Sequence, residues 1–269
     1  MSIKVGLIGQ GIAASRSPAM HMAEAQAQGF ALRYDLFDTA MDDRPLADLL
    51  DAAQSSGYAG LNITYPFKQA VMPLLDGLSP VAERVGAVNT VLFDGGSRIG
   101  HNTDCPGFAQ SATEGLVDAP MQSVMLIGAG GAGVAVAYAL KDLGVQTLLI
   151  FDQNNQMAVD LAARIGAGTR AAKDLSALEQ CDGVVNATPV GMASHPGTAM
   201  DTGLLRSDQW VADIVYFPLE TQLLRDACAK GCQTLSGAGM AVHQAALSFE
   251  HFTGCKADPV RMRATFESF

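Results

Sequence analysis

The residues with the clearest chemical meaning are two glycine-rich turns, Gly9-Gln10-Gly11-Ile12-Ala13-Ala14 and Gly128-Ala129-Gly130-Gly131-Ala132-Gly133. Turns of this kind let backbone approach a pyrophosphate and aim a helix N-terminus at it. Their surroundings tell them apart. The first is followed by Pro18, where the helix of a nucleotide-binding unit would already be two turns along. A proline there removes a hydrogen bond and clashes with the preceding turn, so this turn is expected to be structural or part of a substrate loop. The second is entered by the apolar run Val124–Ile127 and left by an alanine-rich stretch. The next strand, Leu148–Phe151, ends at Asp152, nineteen residues past Gly133. A carboxylate at that place accepts hydrogen bonds from the adenine ribose of NAD; the plainer alternative is a tight turn with a surface aspartate. The pattern predicts a dinucleotide site in which NAD is favoured over NADP. A 2′-phosphate would meet the Asp152 charge, and Gln153, Asn154, Asn155 and Gln156 bring no cation to offset it.

Such a turn needs a strand and a helix to hold it, and the chain alternates the two nearly throughout. β-branched runs at Lys4–Ile8, Leu32–Phe37 and Gly60–Thr64 are separated by helical patterns, one opened by Ser17-Pro18 with Ser17 as N-cap and another over Pro45–Gln54. Val88–Phe93, Gly95-Gly96 and Ser97–His101 read as a hairpin, and Pro106–Glu114 as a connecting helix. From Ser123 the rhythm restarts, with strands at Val124–Ile127, Thr147–Phe151, Val184–Ala187 and Val211–Val215, helices over Ala132–Leu143 and Glu220–Lys230, and an edge strand at Gln233–Leu235. Two helices close the chain, Ala241–Phe252 and one opened by Asp258-Pro259. The fold class is α/β with parallel sheets in two lobes. Residues 1–107, completed by 238–269, form the first, and 108–237 the second.

Composition narrows the functions this frame can serve. Hydrophobic residues make up 49% of the 269 residues and charged ones 16%, with a net charge of −10 and no Lys/Arg-rich stripe. Nucleic acid and anionic membrane are therefore excluded as partners. The uncharged run Val124–Leu140 is shorter than the roughly 20 residues of a membrane span and is interrupted by glycines. No signal-peptide pattern precedes Val5. Five dispersed cysteines read as reduced thiols of a cytoplasmic protein, and five dispersed histidines form no metal-ligand spacing.

A cofactor lobe leaves the first lobe to hold a substrate, and its blocks occur in a definite order: Ser15-Arg16-Ser17-Pro18-Ala19-Met20-His21, Asn62-Ile63-Thr64-Tyr65-Pro66-Phe67-Lys68, Gly86-Ala87-Val88-Asn89-Thr90 and Asn102-Thr103-Asp104 with Gly107. The second lobe adds Asn186–Met192 and Asp213–Pro218, and Gln244 follows near the end. Over essentially its whole length the chain resembles the shikimate/quinate dehydrogenase family. The resemblance implies a substrate-binding α/β domain followed by a Rossmann-type domain. It implies Lys68 and Asp104 as the catalytic pair, and Ser15, Ser17, Thr64, Asn89, Tyr216 and Gln244 around the substrate. Gly128, Ala129, Gly130, Gly131, Ala132, Gly133, Asp152, Thr188, Pro189 and Gly239 would hold the cofactor. The implied reaction is reversible oxidation of a ring hydroxyl of shikimate with NAD or NADP. A quinate or dual-substrate dehydrogenase is the alternative, as is a dinucleotide sensor without turnover, and the family implies a monomer or homodimer.

Read singly, these residues suit that chemistry. Hydroxyls and amides donate to and accept from a polyhydroxylated ring, two serines on a turn suit a carboxylate, and Lys68 and Asp104 can relay a proton. Each also has a plainer reading: Ser17 as an N-cap, Lys68 as a solvated cation, Asp104 as a helix cap, Asn89 in a turn. Their joint occurrence favours the site. Three features depart from the family pattern. Met22 stands where asparagine is common, and Phe151–Gln156 lacks the Asn-Arg-Thr type run of NADP-linked members. Arg16 lies between the serines, where it either meets the substrate or points to solvent.

Overall fold

A computed structural model describes residues 2–269. The chain forms two compact units, one of residues up to Thr103 with Val242–Phe269, the other of Asp104–Ala241. Each division falls at a helix that begins just before the boundary read from sequence or continues just beyond it.

In the first unit β1 (Ile3–Gly9), α1 (Ser17–Ala27), β2 (Leu32–Asp38), α2 (Leu46–Ser55), β3 (Gly60–Ile63), β4 (Gly77–Leu78), α3 (Pro80–Val85), β5 (Thr90–Asp94) and β6 (Ser97–His101) follow one another. The strands make one sheet in the order β2-β1-β3-β5-β6-β4. β1 is central and covered on both faces, which is why it reads as an unbroken apolar run. Val5 and Leu7 pack with Ile12, Tyr34 and Phe252 on one side, and Ile8 with Leu49, Leu50 and Ile63 on the other. The sheet is mixed rather than parallel: β1 runs parallel to β2 and β3, while β5 runs antiparallel to both β3 and β6. The two-residue turn at Gly95 and Gly96, with φ of +56° and +92°, permits only an antiparallel return. The start of α1 also differs from expectation. Arg16 already has helical backbone (φ −86°, ψ −7°), so Ser17 lies inside the helix and makes no capping hydrogen bond.

The second unit runs α4 (Asp104–Gly115), β7 (Ser123–Ile127), α5 (Gly131–Asp142), β8 (Thr147–Phe151), α6 (Asn155–Ile165), β9 (Thr169–Ala171), β10 (Gly183–Asn186), β11 (Trp210–Asp213), α7 (Gln222–Ala229), β12 (Gln233–Ser236) and the start of α8 (Ala238–Thr253). Its six strands are all parallel, in the order β12-β11-β10-β7-β8-β9. This is the Rossmann order, with the chain leaving from the middle toward one edge and then crossing to the other. β9 has three residues and no alternation, so periodicity does not reveal it.

After α8 the chain ends in α9 (Pro259–Glu267), which lies against α1 in the first unit. Arg261 donates to both carboxylate oxygens of Glu24, at 2.6 and 2.9 Å, and Glu24 is fully buried. Among the described residues no helix is long and apolar enough to cross a membrane.

Three histidines of this unit are held neutral. The His21 ring is buried against Tyr34 and Phe249, and the His101 and His251 rings lie 4.1 Å apart. Desolvation drives His21 down to about 3 and, with help from His251, His101 down to about 4; it lowers His251 too. The unfolded chain protonates near the ordinary value of 6.5. Their contribution to stability is therefore complete above that pH and is lost as pH falls toward the folded values. We predict that unfolding free energy from urea titrations declines from pH 6.5 to about 5, ahead of most carboxylates, by up to about 1.4 kcal/mol per pH unit for each histidine. His101→Gln should flatten that slope by about one proton, and a level wild-type profile would contradict the assignment.

Candidate active site

The turn between β7 and α5 is built around three glycines with different tasks. Gly128 has φ of +103°, a conformation that side chains avoid, and a Cβ on it would lie 2.9 Å from the Ala187 backbone. A Cβ on Gly133 would fall 2.0 Å from the Gly128 carbonyl oxygen, so only glycine lets α5 pack this closely on the strand end. Gly130 has no atom within 4 Å of that position, which leaves its face open to an approaching group. It also stands at the N-cap of α5, whose first N–H groups have no partner within the helix. Asp152, just past β8, accepts hydrogen bonds from the Ala129 N–H at 2.7 Å and the Asn154 N–H at 2.8 Å. Its carboxylate is thereby fixed beside the turn.

The first glycine turn has similar parts in another arrangement. The Asp38 carboxylate at the end of β2 accepts from the N–H groups of Gly11, Ile12 and Ala40 at 2.8, 3.0 and 3.0 Å. The Ala40 and Gly11 hydrogen bonds, with that of Ile12, hold Asp38 below the usual carboxylate range. Two of the turn's N–H donors are thereby occupied, and α1 starts only at Ser17.

Sequence reasoning missed a buried network that shapes the loops after β10 and β11. Asn186 donates to Asp213 Oδ1 at 3.0 Å and to the Val190 carbonyl at 2.9 Å, and its own oxygen accepts from the Thr188 N–H and hydroxyl. Asp213 also accepts from the Val215 N–H and the Thr221 hydroxyl. Burial raises its carboxyl pKa against the opposing pull of these bonds. Thr188 and Pro189, and the exposed Tyr216, lie on the two loops so held. The legible signal was polar Asn186 and Asp213 closing apolar strands. Gly239 sits in the first turn of α8.

Within the first unit Thr64, Lys68 and Asn89 are brought together at the ends of β3 and β5. Ile63 donates its N–H to the Asn89 carbonyl and Val88 to that of Lys68, each at 2.8 Å. Lys68 lies in a turn and not on a helix. A relay of buried groups fixes Asn89: Tyr34 donates to Asn62, Asn62 to Thr90, Thr90 to the Asn89 side-chain oxygen, and the Asn89 amide to Thr103. The Asn89 oxygen also accepts from the Thr103 N–H, immediately before Asp104, which is the buried first residue of α4. Ser15 Oγ accepts from the Ser17 N–H at 3.3 Å, making a small turn of the two serines. Gln244 is half-buried on α8. Arg16 does not point to solvent: it is buried, and its guanidinium donates to the main-chain oxygens of Phe266 and Phe269. Among the described residues no group of three or more His, Cys, Asp or Glu is placed to hold a metal ion.

Known proteins share this arrangement. Residues 7–91 match the shikimate dehydrogenase substrate binding domain and residues 237–265 the shikimate 5'-dehydrogenase C-terminal domain. The chain is 52% identical to the quinate/shikimate dehydrogenase (NAD(+)) of Corynebacterium efficiens, over 99% of this chain and 98% of that one. The chain belongs to the shikimate dehydrogenase family. Among solved structures of this family, quinate dehydrogenase from Corynebacterium glutamicum in complex with NAD superposes with a TM-score of 0.93 at 50% identity, covering 100% of this chain and 99% of that one. Shikimate 5-dehydrogenase from Thermus thermophilus in complex with NADP(H) and shikimate superposes at 0.90 with 35% identity, covering 98% of each.

The glycine geometry makes a direct prediction. Gly133→Ala should destabilise the protein by about 1–3 kcal/mol through overpacking, whereas Gly130→Ala should stay within about 1 kcal/mol of wild type. Urea midpoints at constant m-value distinguish the two, and equal losses would mean that the close approach at Gly133 is not limiting.

Proposed function

We propose that this protein is a nicotinamide-dinucleotide-dependent dehydrogenase that reversibly oxidises a ring hydroxyl of shikimate to 3-dehydroshikimate. Quinate is an alternative or additional substrate. The observation that carries this reading is the open Gly130 face beside a fixed Asp152 carboxylate, in a chain that matches quinate/shikimate dehydrogenases from end to end. Relatives named for both ring acids favour activity on both. Five cysteines dispersed along the chain fit a cytoplasmic setting.

The residues fit the cofactor. The turn from Gly128 to Gly133 and the first N–H groups of α5 receive the pyrophosphate, and Asp152 keeps lone pairs for the ribose hydroxyls. Thr188, Pro189 and Gly239 line the remainder, and Tyr216 lies near the reacting ends. When bound, the nicotinamide supplies the hydride acceptor. Ser15 and Ser17 hold the ring carboxylate, while Thr64, Asn89 and Gln244 meet ring hydroxyls. Asn89 enters with its oxygen saturated by Thr90 and Thr103 and one amide N–H left for the ring. Lys68 and Asp104 act together as the acid–base pair that takes the proton from the reacting hydroxyl.

Lys68→Ala should lower kcat by roughly 10²–10⁴ with a modest change in KM, because the proton is moved mainly in the transition state. Asp104→Asn should act less than multiplicatively with it. Wild-type turnover in a folded Lys68→Ala protein, followed at 340 nm, would end this assignment.

The cofactor preference follows from charge. Unit charges about 4 Å apart repel by about 4 kcal/mol at an effective dielectric of about 20. After solvent screening, about 2–4 kcal/mol remains, or roughly 30- to 1000-fold in kcat/KM for NAD over NADP. Asp152→Ala should narrow that ratio, and Asp152→Ser with Gln153→Arg should move it toward NADP. A wild-type enzyme more efficient with NADP would refute the role of Asp152.

A further inference from the structure

Arg16 lies between the two serines assigned to the ring carboxylate, yet its charge is directed elsewhere. It is only 8% exposed. Nη1 donates to the Phe266 carbonyl at 2.8 Å and Nη2 to the Phe269 main-chain oxygen at 3.2 Å. The guanidinium carbon is 4.8 Å from the centre of the Phe266 ring and 5.9 Å from that of Phe269. Carbonyls in the last turn of a helix have no partner within it and carry the negative end of its dipole. Arg16 therefore caps α9 from outside at Phe266 and also holds the main-chain oxygen of Phe269, just past the helix. The cap is also the start of α1, because the Arg16 carbonyl accepts the Met20 N–H at 3.1 Å. Ser15 and Ser17 are its covalent neighbours, linked across it by the Ser17 N–H to Ser15 Oγ bond. The far end of the same helix pair is tied separately by Glu24 and Arg261. The helix pair is thus tied at both ends, and the tie next to the serines is the Arg16 one.

We propose that Arg16 is a positioning residue: by capping α9 it fixes the backbone between Ser15 and Ser17, and so the spacing and aim of the hydroxyls that hold the substrate carboxylate. This rests on the assignment of those serines given above. A planar guanidinium suits the task because two donors at fixed separation reach two main-chain oxygens while its face lies on an aromatic ring, and lysine offers neither.

The test compares Arg16→Gln, Arg16→Lys, Ser15→Ala and Glu24→Gln by steady-state kinetics with shikimate and quinate, with their methyl esters, and by thermal unfolding. Arg16→Gln should raise KM for the free acids at least tenfold, change kcat less than threefold, and leave KM for the dinucleotide and the kinetics of the esters nearly unchanged. Arg16→Lys should lie between it and wild type, and carries the test if Arg16→Gln does not fold. Glu24→Gln should lower the melting temperature without raising KM for the acids. If Ser15→Ala raises KM for the acids and neither Arg16 variant does, the positioning role is overturned while the serine assignment stands. If Ser15→Ala leaves KM unchanged, the serine assignment fails and this inference falls with it. An equal KM rise for acids and esters, or an equal effect of Glu24→Gln, would reduce Arg16 to general support of α9 and overturn the proposal.

Discussion

The parallel register of the second sheet is the constraint on which the rest of this protein depends. It aligns Ile127 with Phe151 and Asn186, and Asn186 with Asp213, so four strands end in one row. Every loop that follows leaves from the same edge. The glycine turn, Asp152, the Thr188 loop and the Tyr216 loop are therefore neighbours by register, though spread over some ninety residues of chain. In a sheet buried on both faces, that edge is where polar backbone meets solvent and where chemistry can be placed.

At that edge the polar groups are held by one another rather than by regular structure. Asp213 is buried, and burial alone would push its proton on; Asn186, the Val215 N–H and Thr221 oppose this. Satisfying both of its oxygens fixes two loops at once. The same arrangement appears in the first unit, where the Tyr34–Asn62–Thr90–Asn89 relay ends on Thr103. Leaving any one of these buried groups without its partner costs about 1–3 kcal/mol, which makes each relay a rigid support.

The two glycine turns show one motif in two local arrangements. Each follows a central parallel strand, and each has an aspartate at the end of the neighbouring strand. Asp38 occupies two N–H groups of its turn, and α1 begins several residues later. Asp152 occupies one, and α5 starts at once with the Gly130 face open. Helix placement and the number of donors already used are what distinguish the two turns.

Much of this was legible in the residues themselves. The central strands, the two α/β lobes and the early start of the helix after the second glycine turn follow from periodicity and from the glycine spacing, because those are local rules of backbone sterics. What escaped depends on partners distant in sequence. β9 is too short to show a period. The Gly95-Gly96 hairpin is legible, but the antiparallel pairing of β5 to β3 that makes the first sheet mixed is not. Ser17 looks like a cap until Arg16 is seen in helical backbone. Arg16 reads as a surface or substrate charge until α9, some 250 residues away in the chain, brings two main-chain oxygens and two rings to it. Sequence determined which residues carry charge, bend and hydrogen-bonding capacity; tertiary structure alone decided which partner each would satisfy, because burial leaves a polar group only the neighbours that packing supplies.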